Sequence, residues 1–470
     1  MRKSKLFLAI TVLLVTTLIG SACSNDSSSS DATTTAAATT KADAVADTTK
    51  AAEDTKAEDT EAKNEPSGEA VEIDMAWWGG EARHEKFNTI LDLYESKNPE
   101  ITFVRQYAPW GDYWTKLTTQ SASNSMPDTF GMTSQYKGEF YARDVMEPLA
   151  PYVESGQIDL SNFSEGAINA ATFNGDMIFV TFGDTASGLA YNKTLIESIG
   201  LETPKGEMTY TEYLAYAKAL KEKLPDDVYA STYNWEHQFE NHVRQFGTEI
   251  VNDDGTAPGY TKETLKSYLE FNKELFDSGA GAPPEVAAEN SGKQWVDSLE
   301  GTGRMAMYQT NMNSLKIYQA QTEDELGAVR GLIADGATHK YVEQIQPSGW
   351  TIFSGSEVKD QVAAFLNFWV NDEEAQQIFY MDLGVPGSGV IQDMILDGLS
   401  NDSLVDNTIS IEINLMQELA SSVEPHPGRK EGAVALWTDI TAKWDEILFG
   451  TMTVDEAVDA HFADAGVILS

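Results

Sequence analysis

Cysteine is almost missing from this chain: of 470 residues, one, Cys23, is a cysteine. The body therefore needs no disulfide chemistry, and no paired-thiol spacing exists for a zinc or redox centre. Histidine is scarce as well, at six. His237 and His242 are five apart and do not share a helix face, so neither a metal site nor a cofactor is expected. Basic residues are few, 32 Lys and Arg against 74 Asp and Glu, for a formal net charge of −42. That balance argues against nucleic acid, whose phosphates need clustered Lys and Arg. It also disfavours docking on anionic lipid, although a small basic pocket on an acidic surface leaves an acidic ligand open. The spacings G-x-S-x-G, H-E-x-x-H and G-x-x-x-x-G-K are all absent. Acid pairs such as Asp253–Asp254 signal little in so acidic a chain, and "NDDG" lacks the spaced ligands and distal Glu of a calcium loop.

Long apolar runs are absent beyond the first twenty residues. There, Arg2, Lys3 and Lys5 precede an apolar stretch, Leu6 to Ile19, too short for a comfortable membrane span. "GSAC" follows, and a lone cysteine at that place resembles a bacterial lipoprotein signal. The resemblance implies removal of residues 1–22 and lipidation of Cys23, palmitate included, at the outer face of the cell membrane. Gly20 stands where that pattern usually has Leu. Residues 23–70 then read as a disordered acidic tether. After Cys23, Val45 is its only large aliphatic residue, with 11 acidic and 4 basic residues, and it cannot bury enough apolar surface to offset its ordering entropy. As a flexible coil it would span roughly 35–40 Å.

What is present is a body with 41% hydrophobic and 10% aromatic residues, long enough for two domains. "EIDMAWW", "ITFVRQY" and "PDTFGMT" read as strands. Between them, "HEKFNTILDLYESKNP" places Phe87, Ile90, Leu91 and Tyr94 at helical spacing before Pro99, and "YWTKLTTQSAS" reads as a second helix. This alternation predicts parallel strands in an α/β layer. Ligands on such sheets collect at the carboxyl ends of the strands. There stand Trp77 and Trp78, then Tyr107 and Trp110, then Met132 to Gln135. By strand alternation Trp77 shares a face with Ile73 and Met75, and Trp78 a face with Asp74 and Ala76. Trp77 is thus the core candidate and Trp78 the candidate platform for a sugar ring.

The order of these and later motifs resembles the extracellular solute-binding proteins of bacterial sugar importers of the ATP-binding-cassette type. "WWGGEARHEKFNTILDLYESKNPEITF", "WGDYWTKLTTQSASNSMPDTFGM", "DVMEPLAPYV" and "NGDMIFVTFGDTASGLAYNKTLIESIGL" carry the likeness. So do "GTGRMAMYQTNMN" and "GWTIFSGSEVKDQVAAFLNFWVNDEEAQQIF", and it runs from about residue 72 to the C-terminus. It implies an α/β, two-lobe periplasmic-binding-protein-like fold of type II, with hinge strands and a ligand cleft between the lobes. Lobe 1 would be 71–182 with 350–386, and lobe 2 would be 183–349 with 387–470. Crossings are expected near Val180–Asp184, Gln346–Gly349 and Gly384–Ser388. Candidate ligand residues are Trp78, Arg83, His84, Trp110, Tyr113, Ser134, Asp184, Trp235, Asn311, Trp350 and Arg429. Asn311, Met312 and Asn313 stand where the family often has Gly-Ser-Trp. The implied function is that of a monomeric, lipid-anchored receptor that delivers a carbohydrate to membrane permease subunits. The alternative is an extracellular carbohydrate-active enzyme using paired carboxylates.

Overall fold

The computed structural model describes residues 70–232, 236–291, 293, 295–423 and 429–470. The signal, Cys23, all but the last residue of the tether, and Trp235 therefore lie outside the described residues.

The strands are β1 (Val71–Trp78), β2 (Ile101–Ala108), β3 (Thr129–Thr133), β4 (Thr172–Phe173), β5 (Asp176–Met177) and β6 (Val180–Asn192). They continue as β7 (Tyr229–Ser231), β8 (Met305–Asn311), β9 (Leu326–Val329) and β10 (Ile345–Ile352). β1 runs parallel to β2 along its whole length and parallel to β3 at Met75 and Ala76. The helices Glu81–Lys97 and Trp110–Ala122 make the crossovers. The first buries Phe87, Ile90, Leu91 and Tyr94, as the spacing predicts, and it stops at Asn98, just before Pro99. It starts three residues earlier than the periodicity suggests, because Glu81 and Ala82 extend the first turn on its solvent side.

One strand organises the rest. β6 is 13 residues long. Its first part, Val180–Ala186, pairs antiparallel with β10, which in turn pairs antiparallel with β3. Its second part, Ser187–Asn192, pairs with β8 and β9, and β7 adds to β8 in parallel. The result is two α/β lobes sharing β6, with separate apolar interiors. One interior holds Trp77, Phe87, Phe130, Phe182, Trp369 and Phe379. Another holds Leu189, Tyr213, Phe271 and Met307, and a third packs the helices Lys262–Asp277, Ala433–Leu448 and Val454–Ile468 around Tyr268 and Trp444.

Trp350 belongs to the first interior. It is fully buried, with its ring 5.0 Å from Phe182, 5.1 Å from Trp369 and 5.6 Å from Phe87. The expectation that it offers a face to ligand is corrected: on β10 its side chain points into the core, while its neighbours Ser348 and Pro347 lie nearer the open end of the strand.

The third crossing touches the first. Asp184 and Val385 exchange two backbone hydrogen bonds, of 2.7 and 2.8 Å. The approach depends on glycine: a Cβ on Gly183 would sit 2.8 Å from the Leu383 carbonyl carbon, and one on Gly384 (φ +124°) would strike the Asp184 backbone. Just upstream, Tyr380 and Met381 adopt left-handed φ values of 44° and 56°, which turn the chain sharply after the helix Glu373–Phe379.

The Asp184 side chain is buried at this crossing, where Thr181 Oγ1 donates to its Oδ1 at 2.6 Å. Burial pushes its pKa up to about 7, against the smaller opposing effect of the Thr181 bond. Glu412, fully buried with Lys316 Nζ 4.0 Å away, is likewise pushed up to about 7 by burial. Between the unfolded carboxylate value and 7, the folded chain holds protons that the unfolded chain has released. These two groups therefore make stability fall as pH rises through that window, with no further change above it. Asp184→Asn keeps the Thr181 bond and removes the titration. It should raise the melting temperature at pH 7.5, with the gain shrinking to nothing near pH 4, as calorimetric melts at several pH values would show.

Candidate ligand-binding site

A cavity of about 260 Å³ opens where both groups of strands end. The carboxyl ends of β1 and β3 bring Trp78, Thr133, Ser134 and Gln135 to it, and the helix start after β2 brings Trp110. From the other side come Thr185 of β6, Asn311 at the end of β8, and Asn313. Gln344, Gln346, Pro347 and Ser348 enter from β10 and the residue before it, Leu383 from the third crossing, and Glu236, His237 and Arg429 from the far wall.

The aromatic wall is built by packing. Trp78 is 5% exposed, with its ring 5.3 Å from Trp110, 5.5 Å from Tyr113 and 5.8 Å from Trp114. It can seat there because β3 carries Gly131 opposite: a Cβ on that residue would lie 2.6 Å from the indole. Trp110 is 41% exposed and stands edge-on to both Trp78 and Trp114. The pair thus divides its work. Trp78 is mostly core and Trp110 the more exposed of the two, and both line the cavity. Trp77, on the other side of β1, is 1% exposed and donates from Nε1 to His84 Nδ1 at 3.1 Å.

The polar wall is mainly neutral. Thr185 Oγ1 accepts from the Asn313 backbone at 3.2 Å, and Gln346 Nε2 reaches Asn311 Oδ1 at 3.5 Å. Thr133 Oγ1 is buried without a hydrogen-bond partner. The charged members form a closed cluster. Arg429 Nε donates to Glu240 Oε1 at 2.5 Å and Nη1 lies 3.0 Å from Glu236 Oε1, while His237 Nδ1 lies 2.9 Å from Glu240 Oε2. Burial alone would raise the Glu240 pKa. The His237 hydrogen bond and charge, then Arg429, outweigh it and hold the carboxyl at about 2.

Of the residues expected from sequence to contact ligand, Trp78, Trp110, Ser134, Asn311 and Arg429 line this cavity. Six others require correction or are not described. Arg83 turns away to pair with Asp382, which also binds Lys86 at 3.4 Å. His84 is buried under Trp77 and stacked 4.2 Å from Tyr107, and its pKa is lowered chiefly by that burial. Tyr113 is buried, its hydroxyl donating to the Gly131 carbonyl at 2.7 Å, so it fastens the helix Trp110–Ala122 to β3. Asp184 faces a separate cavity of about 190 Å³ behind the hinge, beside Val385 and Gln392. Trp350 is core, and Trp235 lies outside the described residues.

Thr185, Glu236, His237, Asn313, Gln344, Gln346 to Ser348 and Leu383 were not anticipated as site residues, whereas Thr133 and Gln135 fall in the strand end, Met132 to Gln135, where ligand is expected to collect. For Gln346 to Ser348 a signal existed: they open a segment read as a crossing, and crossings border the cleft. Glu236 and Glu240 had none, since two acids among 74 are indistinguishable by type. Among the described residues no group of three or more His, Cys, Asp or Glu side chains is placed to hold a metal ion, and no helix is long and apolar enough to cross a membrane.

Two α/β lobes around a cleft at their strand ends define a binding fold. Residues 89–397, more than half of the chain, match the family of bacterial extracellular solute-binding proteins, and the chain belongs to that family. A protein of Brucella abortus (strain 2308) named as a binding protein is 24% identical over 234 residues, 47% of this chain and 53% of that one. The chain thus spans about half the length of the first such relatives. The lactose-binding protein of Rhizobium radiobacter is 23% identical over 328 residues, 68% of this chain and 75% of that one. The structure of a periplasmic oligogalacturonide-binding protein from Yersinia enterocolitica, in complex with saturated digalacturonic acid, superposes with a TM-score of 0.68. It covers 85% of this chain and 98% of that one at 21% identity, a likeness of fold.

Trp110→Ala should lower the melting temperature of the empty protein less than Trp78→Ala does, because Trp110 is 41% exposed and Trp78 5%. It should weaken ligand binding by about 1–3 kcal/mol, by analogy with aromatic–base stacking. Trp78→Ala should weaken binding and also cost about 3–5 kcal/mol of stability. Titration calorimetry paired with thermal melts separates the two effects.

Proposed function

We propose that this chain is an extracytoplasmic receptor that captures a carbohydrate and hands it to the permease of an ATP-driven importer. One observation carries the reading: the half-exposed Trp110 and the Trp78 beside it line a cavity whose remaining wall is mostly amides and hydroxyls. A sugar ring has an apolar C–H face for the indole and hydroxyls for the amides. The lactose-binding relative and the oligogalacturonide-binding structure support the same chemistry. The chain acts by binding, not turnover. An enzyme of the paired-carboxylate kind needs two carboxyl groups flanking a scissile bond. Glu236, the carboxylate lining the described cavity, is committed to Arg429.

In this reading the lobes are 71–182 with 350–386 and 183–349 with 387–470. They close about β6, β10 and the Val385 crossing. The protein works as a monomer without cofactor, held to the outer membrane face by lipid on Cys23 and spaced from it by residues 24–70.

A thermal-shift screen of mono- and oligosaccharides tests the binding role. A ligand at 100 times its dissociation constant should stabilise the fold by about 2.7 kcal/mol, and the radius of gyration in solution scattering should shrink on its addition. A panel without any binder would reject the carbohydrate reading, and product formation from a bound oligosaccharide would reject the receptor.

The anchor is tested separately. Cys23→Ser should move the protein from the membrane fraction to the medium, because the acyl chains supply the attachment. Unchanged partitioning would reject the anchor.

A further inference from the structure

We propose that the cleft selects uncharged saccharides and rejects those bearing carboxylates; this rests on the carbohydrate reading above. Among the described residues, the one Lys or Arg side chain that lines this cavity is held by the chain's own acids. Arg429 spends its guanidinium on Glu236 and Glu240, with side-chain exposures of 12%, 27% and 9% in that order. Arg83 is paired with Asp382, and Lys430 with Asp253 at 2.8 Å and the Asn252 carbonyl. A ligand carboxylate reaching Arg429 would have to share a guanidinium that already holds two carboxylates, Glu236 and Glu240. It would also approach Glu236, a like charge on the cavity wall.

The groups left for a ligand are neutral. Thr133 Oγ1 is buried in the wall with no partner, and the Gln344 side chain, on a residue 7% exposed, lies between this cavity and an adjoining one of about 280 Å³. Hydroxyls, which both donate and accept, satisfy such groups. A carboxylate, which only accepts, can take up their donors but leaves the Gln344 amide oxygen without a partner. The second cavity continues past Ile345 to Ala420 and Ser421, giving length for more than one sugar ring; of its two charged members, Lys137 is buried and donates to the Ala170 and Thr172 carbonyls, and Glu165 adds a further acid.

The experiment is calorimetry on the whole chain with neutral di- to tetrasaccharides and the same sugars oxidised at C6 to uronates, at low and high NaCl. The neutral sugar should bind with an affinity indifferent to salt, and its uronate at least about tenfold more weakly. In Glu236→Gln, which lifts one acid from Arg429, the ratio of the two affinities should narrow. A wild-type protein that binds the uronate as tightly as, or more tightly than, the neutral sugar overturns the selectivity while leaving the carbohydrate reading intact. A ratio unmoved by Glu236→Gln overturns the ion cluster as its cause. Failure of every sugar, neutral and oxidised, overturns the carbohydrate reading and this inference with it.

Discussion

The antiparallel ladder between β6 and β10 is the constraint on which the other parts depend. β6 is long enough to serve two sheets in turn, and β10 lies against its first half with Ile345 opposite Ala186 and Trp350 opposite Val180. A β-bulge between Ser348 and Gly349 interrupts the register just where the strand leaves the cavity for the core. Because side chains alternate along a strand, this ladder decides what each lobe shows the cleft. Thr185 goes to the cavity and Asp184 to the back of the hinge, one residue apart. The ends of β1, β3 and β8 come to the same opening because each is in register, directly or through a neighbour, with this pair.

Charge is handled with unusual economy for a chain of net charge −42. Its few interior cations are each surrounded by acids or carbonyls. Arg330 meets Glu343 at 2.6 Å with both side chains almost wholly buried, and Lys137 donates to the Ala170 and Thr172 carbonyls at 3.1 and 3.4 Å. Burial lowers the Lys137 pKa to about 8. Buried pairs of this kind contribute little net stability, since desolvation offsets attraction. Their effect is positional: each ties distant segments of chain, as Arg429 ties its loop to the helix Glu236–Gln245.

The first three strands and their helices were legible in the sequence because periodicity is a local signal, and Phe87, Ile90, Leu91 and Tyr94 declare one face of a helix without reference to anything else. The split between Trp77 and Trp78 was legible in part. Alternation assigns opposite faces, but a sheet covered on both sides buries both, and of the aromatics lining the cavity Trp110, beyond the strand, is the more exposed. Trp350 misled because aromatic type and nearness to a crossing say nothing about which way a β10 side chain points. Arg83 and His84 misled for a related reason. Their partners, Asp382 and Trp77, are 299 and seven residues away, and no spacing rule connects the first pair. The polar wall was least legible, since amides and hydroxyls are common everywhere and become a site only when the ladder gathers them.

The same ladder imposes an order on how the chain becomes itself. β3 cannot gain its second neighbour until β10 exists, and Gly131 and Trp350, paired across the sheet, are separated by more than 200 residues of chain. The interior around Trp77 and Phe87 also needs Trp369 and Phe379, which come later still. The N-terminal strands are therefore made early and completed late, while the cluster of Leu189, Tyr213 and Met307 draws its members from within the intervening segment. Until the last of lobe 1 arrives, the polypeptide has no closed core at its N-terminal end.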